Sequence, residues 1–93
     1  MKKDILINQS YFKDKVYLVL GANGRIGQAL SKELIKLGSR LILADINTKK
    51  IIKLNKSNTH LVKKINIIEE KNIKKIIVLA NKKFKKIDGI IHC

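Results

Sequence analysis

Proline and tryptophan are missing from this chain of 93 residues, cysteine and methionine occur once each, and tyrosine and phenylalanine twice each. Each shortage removes a class of protein. The single cysteine, Cys93, closes no internal disulfide, so a disulfide scaffold is excluded and a reducing compartment fits. No apolar run approaches the ~18 residues of a membrane-spanning segment. The basic N-terminus, residues 1–10, holds only the short apolar patch Ile5-Leu6-Ile7, too little for the core of a secretory signal. Together these absences point to the cytoplasm. His60, His92 and Cys93 are the only His or Cys candidates for a transition metal, and an adjacent pair with one distant histidine is not zinc spacing. No metal is expected, and no partner arrangement makes Cys93 a nucleophile.

Acidic residues are scarce too, with seven against 21 lysines and arginines and a formal net charge of +14. Such a charge invites a nucleic-acid reading, because clustered cations neutralise phosphates. All of these cations except Arg25 and Arg40 are lysines, however, and they are spread from Lys2 to Lys86. With few arginines and few aromatics, base readout and stacking are both poorly supplied. The joint excess of lysine, isoleucine and asparagine points instead to an AT-rich coding bias and a solvated lysine surface. A basic nucleic-acid-binding module, or a non-catalytic nucleotide-binding one, stands as the alternative of a different class.

What remains is one small domain at most, with a core small enough to make independent stability marginal. Residues 1–14 have no clear period and read as an N-terminal arm, with Phe12 packing back on the first strand. From Lys15 to Leu20 the chain is nearly continuously apolar, as suits a parallel strand covered on both faces. Ile26, Ala29, Leu30, Leu34 and Leu37 then recur at helical spacing and predict an amphipathic helix with these residues as its buried stripe. Gly38 is placed to end it. A second buried strand, Arg40 to Asp45, completes a βαβ unit. Asn47 is expected to cap a short helix over residues 49–54, and residues 55–59 read as a loop. His60 to Ile65 predicts a third strand. Ile73, Ile76, Ile77, Ala80 and Phe84 mark a second helix, with acids at its start and lysines at its end, as the helix dipole favours. Asp88 to Cys93 opens a fourth strand.

Between the first strand and the first helix lies Gly21-Ala22-Asn23-Gly24-Arg25-Ile26-Gly27. Glycines at 21, 24 and 27 would let a turn bring its N–H groups against a pyrophosphate, at the positive end of the helix. A glycine-rich turn alone is a weak signal. Here a strand precedes it, a helix follows it, and Asp45 ends the next strand close to the ~20-residue spacing of a ribose-binding carboxylate. A carboxylate at Asp45 accepts hydrogen bonds from the ribose hydroxyls and repels the 2′-phosphate of NADP, which favours NAD. Arg25, at the helix start, offers a guanidinium to a phosphate.

These residues resemble the short-chain dehydrogenase/reductase family. Phe12 to Gly27 is similar to the family's opening, Leu41 to Asn47 to its second strand with the NAD-selecting aspartate, and Lys85 to Cys93 to the segment entering its Asn-Asn-Ala-Gly motif. The departures are Leu20 for a usual threonine, Asn66 for the aspartate that contacts the adenine amino group, and His92-Cys93 for two asparagines. The resemblance implies a cofactor-binding set of Gly21, Asn23, Gly24, Arg25, Ile26, Gly27, Asp45, Ile46, Asn66, Ile67 and His92. The family's catalytic serine and Tyr-x-x-x-Lys pair would lie beyond Cys93, and neither Tyr11 nor Tyr17 occupies their place.

The expected architecture is therefore α/β, a three-layer Rossmann-type half with four parallel strands in the order 3-2-1-4 and right-handed crossovers. Residues 15–93 would form part of a nucleotide-binding domain, and the chain is expected to be the N-terminal piece of a longer protein. By the resemblance, that parent is a homo-oligomeric, NAD-dependent oxidoreductase acting on a carbonyl or alcohol of a small molecule. Alone, residues 1–93 should bind a dinucleotide weakly at best and should not catalyse. The Gly-x-x-Gly-x-x-Gly spacing also occurs in the extended branch, so an NAD-dependent sugar-nucleotide epimerase or reductase is the same-fold alternative.

Overall fold

The computed structural model describes residues 9–93. After a 3-10 turn at Gln9–Phe12 come β1 (Val16–Leu20), α1 (Arg25–Lys36) and β2 (Arg40–Asp45). A second 3-10 turn at Ile51–Leu54 leads to β3 (Leu61–Lys64), α2 (Glu70–Phe84) and β4 (Gly89–His92). The strands form one sheet in the order β3-β2-β1-β4, and every pairing is parallel. This is the predicted three-layer arrangement.

The continuous apolar strands behave as parallel strands must. Successive residues of β1 and β2 point to opposite faces, and both faces are covered. On one face Val16, Leu18, Leu20, Ile42 and Ala44 pack with Ile76 and Ala80 of α2. On the other, Val19, Leu41 and Leu43 pack with Leu34 of α1 and with Ile51. Phe12 joins this second cluster with its ring tilted 50° to that of Tyr17 and 6.5 Å away, as expected for a side chain packing back on β1. Residues 1–8 of the arm lie outside the described residues. The outer strands are less covered, and Ile90 of β4 is 55% exposed.

The helix α1 corrects one expectation. Its buried face is Gly27, Ser31 and Leu34, with Leu30 half-buried, whereas Ile26 is 75% exposed and Ala29 is also exposed. The observed stripe starts one residue out of phase with the apolar spacing, because Gly27 carries no hydrophobic signal yet faces the sheet. The helix ends as predicted: Gly38 takes φ +90°, and the N–H groups of Gly38 and Ser39 reach the carbonyls of Ile35 and Leu34. The short helix corrects a second. Asn47 Oδ1 accepts the Lys49 N–H, while the N–H groups of Lys50 and Ile51 go to Asn23, from the glycine turn.

Two polar ties hold the sheet ends opposite the turn. Asp88 accepts the Val16 N–H at 2.8 Å and its own N–H returns to the Val16 carbonyl at 2.7 Å, pinning the entry of β4 to that of β1. The Val16 N–H and the Lys86 ammonium at 2.9 Å hold its carboxyl below the usual carboxylate range. His60 is only 4% exposed, and its Nδ1 accepts the Leu41 N–H at 3.1 Å. It thus serves as a neutral acceptor inside the fold.

Burial, with the Lys83 and Arg40 charges, lowers the His60 pKa from 6.5, so the folded chain resists a proton that the unfolded chain accepts. Its contribution to stability is complete above pH 6.5 and is lost as the pH falls below that value toward the folded pKa. Urea midpoints measured across this window should drop with acid, and the slope should flatten in His60→Gln. Ser31 Oγ is fully buried and lacks a hydrogen-bond partner among the described residues. Ser31→Ala should therefore leave stability unchanged or raise it by up to ~1 kcal/mol, read from the same midpoints.

Candidate functional site

All four strands end at one edge of the sheet, and the glycine turn sits there between the end of β1 and the start of α1. Three backbone features shape it. The N–H groups of Gly21 and Ala22 both reach the Ala44 carbonyl, at 2.9 and 3.2 Å, which ties the turn to β2. Gly21 takes φ +78°, and a Cβ there would also lie 2.8 Å from the carbonyl oxygen of Cys93 as the chain leaves β4. Gly27 faces the turn so closely that a Cβ would strike the Gly21 carbonyl oxygen and lie 2.7 Å from Ala22 Cα. Gly24 differs: a Cβ there would meet only an ordinary contact at 3.6 Å. Of the three glycines, the backbone demands Gly21 and Gly27.

The first intrahelical bond of α1 runs from the Gln28 N–H to the Gly24 carbonyl, at 2.8 Å. The N–H groups of Arg25, Ile26 and Gly27 are consequently the orphan donors of the helix start. Among the described residues no side chain caps them, and no acidic residue lies in the first turn. Beside them opens a cavity of about 600 Å³ lined by Gly21, Gly24, Arg25, Ile26, Gly27 and Cys93, together with Ala29. Arg25 is exposed and, among the described residues, forms no ion pair. The arrangement presents open N–H donors, a helix's positive end and a free guanidinium to one space, which is chemistry for an anion.

The remaining predicted residues lie on the same edge, outside this cavity. Asp45 ends β2, and its carboxylate is oriented by two backbone donors, the Asn23 N–H at 2.9 Å and the Asn47 N–H at 3.3 Å. Ile46 beside it is 63% exposed. The Ile65 N–H bonds the Asp45 carbonyl, bringing the connection that carries Asn66 and Ile67 alongside. Asn66 is exposed, and its Oδ1 accepts the Ile68 N–H at 3.0 Å. His92, exposed, pairs in register with Leu20 on β1. His60 is remote in role, given to the core. Among the described residues no group of His, Cys, Asp and Glu could hold a metal ion, and no helix is long and apolar enough to cross a membrane.

Sequence reasoning overlooked Gln28 and the closeness of Cys93. Gln28 Nε2 donates to the Asn23 carbonyl at 2.6 Å and braces the turn from the first turn of α1. A polar residue at this helix position carries no periodic signal, so only the geometry reveals it.

A parallel sheet in this order, with a glycine-cornered turn where its first strand meets its first helix, defines a Rossmann-type unit. The family model for short chain dehydrogenases matches residues 15–93, and the chain belongs to that family. Among solved structures it is similar to a short chain dehydrogenase from Leptospira borgpetersenii serovar Hardjo-bovis with bound NAD+. That match has 29% identity and a TM-score of 0.75, covering 88% of this chain and 32% of that one. The NADH-dependent reductase A1-R′ complexed with NAD shares the fold at 21% identity and a TM-score of 0.77, over 90% of this chain and 37% of that one. An NAD-bound structure from Haemophilus influenza aligns at 26% identity and a TM-score of 0.72, over 84% and 30% of the two chains. The chain thus spans about a third of the length of the solved structures it matches. No curated protein matches it.

Substitution separates the glycines. Gly27→Ala should destabilise the fold by ~1–3 kcal/mol through overpacking against Gly21 and Ala22. Gly24→Ala should change the denaturation midpoint little.

Proposed function

We propose that residues 15–93 form the NAD-binding opening of an oxidoreductase that acts on a carbonyl or alcohol. The observation that carries this reading is the pairing of three orphan N–H donors at a glycine-cornered helix start with a carboxylate at the neighbouring strand end. The donors and Arg25 suit a pyrophosphate. Asp45 has both oxygens oriented by backbone N–H groups and still keeps lone pairs for ribose hydroxyls. The relatives with bound NAD support the same choice.

In this reading Gly21, Gly24 and Gly27 let the diphosphate approach, and the backbone of Asn23, with Arg25 and Ile26, completes the turn around it. Asp45 and Ile46 face the adenosine ribose, Asn66 and Ile67 flank the adenine, and His92 lies at the sheet end nearest the nicotinamide ribose. Bound NAD supplies hydride transfer, and this chain's residues hold and orient it. The acid–base residues, the small-molecule substrate and a homo-oligomeric, cytoplasmic setting belong to the proposal for the whole protein. The carboxylate also makes NAD the preferred cofactor, since a 2′-phosphate at Asp45 would meet a like charge.

Each charge-assisted hydrogen bond is worth ~1.5–3 kcal/mol, so Asp45→Ala should weaken NAD binding by about ten- to a hundredfold in the whole protein. It should also narrow the preference over NADP. Calorimetric titration with both cofactors measures the two effects. An unchanged NAD affinity would remove Asp45 from the site.

A further inference from the structure

Asn23 does more than shape the turn that contains it. Its N–H donates to the Asp45 carboxylate at 2.9 Å, and its carbonyl accepts Gln28 Nε2 at 2.6 Å. Its side chain reaches in a third direction, where Oδ1 accepts the N–H groups of Lys50 and Ile51 at 3.0 and 3.1 Å. Those two groups open the 3-10 turn at Ile51–Leu54, whose own N-cap residue, Lys50, supplies no side-chain bond. One residue therefore joins the end of β1, the carboxylate of β2, the helix α1 and the connection from β2 to β3.

We propose that the Asn23 side chain is a positioning residue for the adenosine end of the cofactor site, acting through the segment from Asp45 to Ile51. The inference rests on the nucleotide reading above. The segment leaves β2 at Asp45 and is anchored at its far end by Ile51, whose side chain is fully buried in the α1-side core. Between these anchors, Ile46 and Lys49 are exposed, and the bonds to Asn23 Oδ1 draw the segment back onto the glycine turn. Without them, two N–H groups lose their acceptor, one of them on a buried residue, and the segment is free to part from the turn. The ties that shape the diphosphate cradle, from the Gly21 and Ala22 N–H groups to the Ala44 carbonyl and from Gln28 Nε2 to the Asn23 carbonyl, do not use this side chain, so the cradle survives the change. This separates the two ends of the site.

The test compares Asn23→Ala with the wild type in the whole protein, by NMR titration with ADP-ribose and with inorganic pyrophosphate. Asn23→Ala should weaken ADP-ribose about tenfold, the loss of roughly one hydrogen bond to the site's wall, and leave pyrophosphate within about twofold. Amide exchange at Lys50 and Ile51 should accelerate by about tenfold or more in Asn23→Ala and remain slow in Asn23→Asp, whose carboxylate accepts the same two N–H groups. Should Asn23→Ala not fold, Asn23→Ser, whose hydroxyl is one atom too short for both bonds, is read in the same way. Unchanged ADP-ribose affinity, an equal loss for both ligands, or unaltered exchange would each overturn the proposal. A wild-type protein that binds pyrophosphate but not ADP-ribose would overturn the nucleotide reading itself, and this inference with it.

Discussion

The approach of Gly27 to the backbone of Gly21 and Ala22 is the contact on which the rest of the structure depends. It seats the first turn of α1 directly on the end of β1, closer than any side chain would permit. That position brings the orphan N–H groups of the helix to the sheet edge and turns Leu34 and the buried Ser31 toward the core. It also exposes Ile26, which lines the cavity instead of filling the interior. One missing Cβ thus couples helix packing to the placement of these N–H donors.

Around that contact the sheet distributes its burial unevenly. Strands β1 and β2 are covered on both faces and hold most of the fully buried side chains, whereas β3 and β4 are only half covered. The polar ties lie where hydrophobic packing is thinnest: Asp88 secures the start of β4, and His60, with Asn55 bonding its backbone on both sides, secures the start of β3. His60 is buried and needs a defined partner, and with the Asp88 bonds it sets register at positions where apolar contacts alone would allow slippage. The lysine-rich surface enters that framework at Lys86, which pairs with Asp88, whereas the ion pairs on the two helices are solvent-exposed, where such pairs contribute little.

Much of the fold was legible because parallel strands leave a plain mark. Runs such as Arg40 to Asp45 are hydrophobic without alternation, and each was found within a residue of its observed span. The second helix was legible from its charge order and its Ile73, Ile76 and Ala80 spacing. The first helix misled at its start, since the residue that faces the sheet there is a glycine and hydrophobic periodicity cannot register it. Asn47 misled for another reason: its side chain does make a local turn bond, but the acceptor that caps the 3-10 turn comes from Asn23, far away in sequence. Local patterns reveal local partners only.

By itself the sequence determined the element order, the glycine turn between strand and helix, and the carboxylate at the end of the second strand. Those features are carried by residue type and spacing within short windows. Tertiary structure alone decided which glycines are obligatory, that Gln28 braces the turn, and that Asn23 ties it to the segment beyond Asp45. The reason is physical: whether a Cβ fits, or an amide finds its acceptor, depends on atoms brought together from distant parts of the chain.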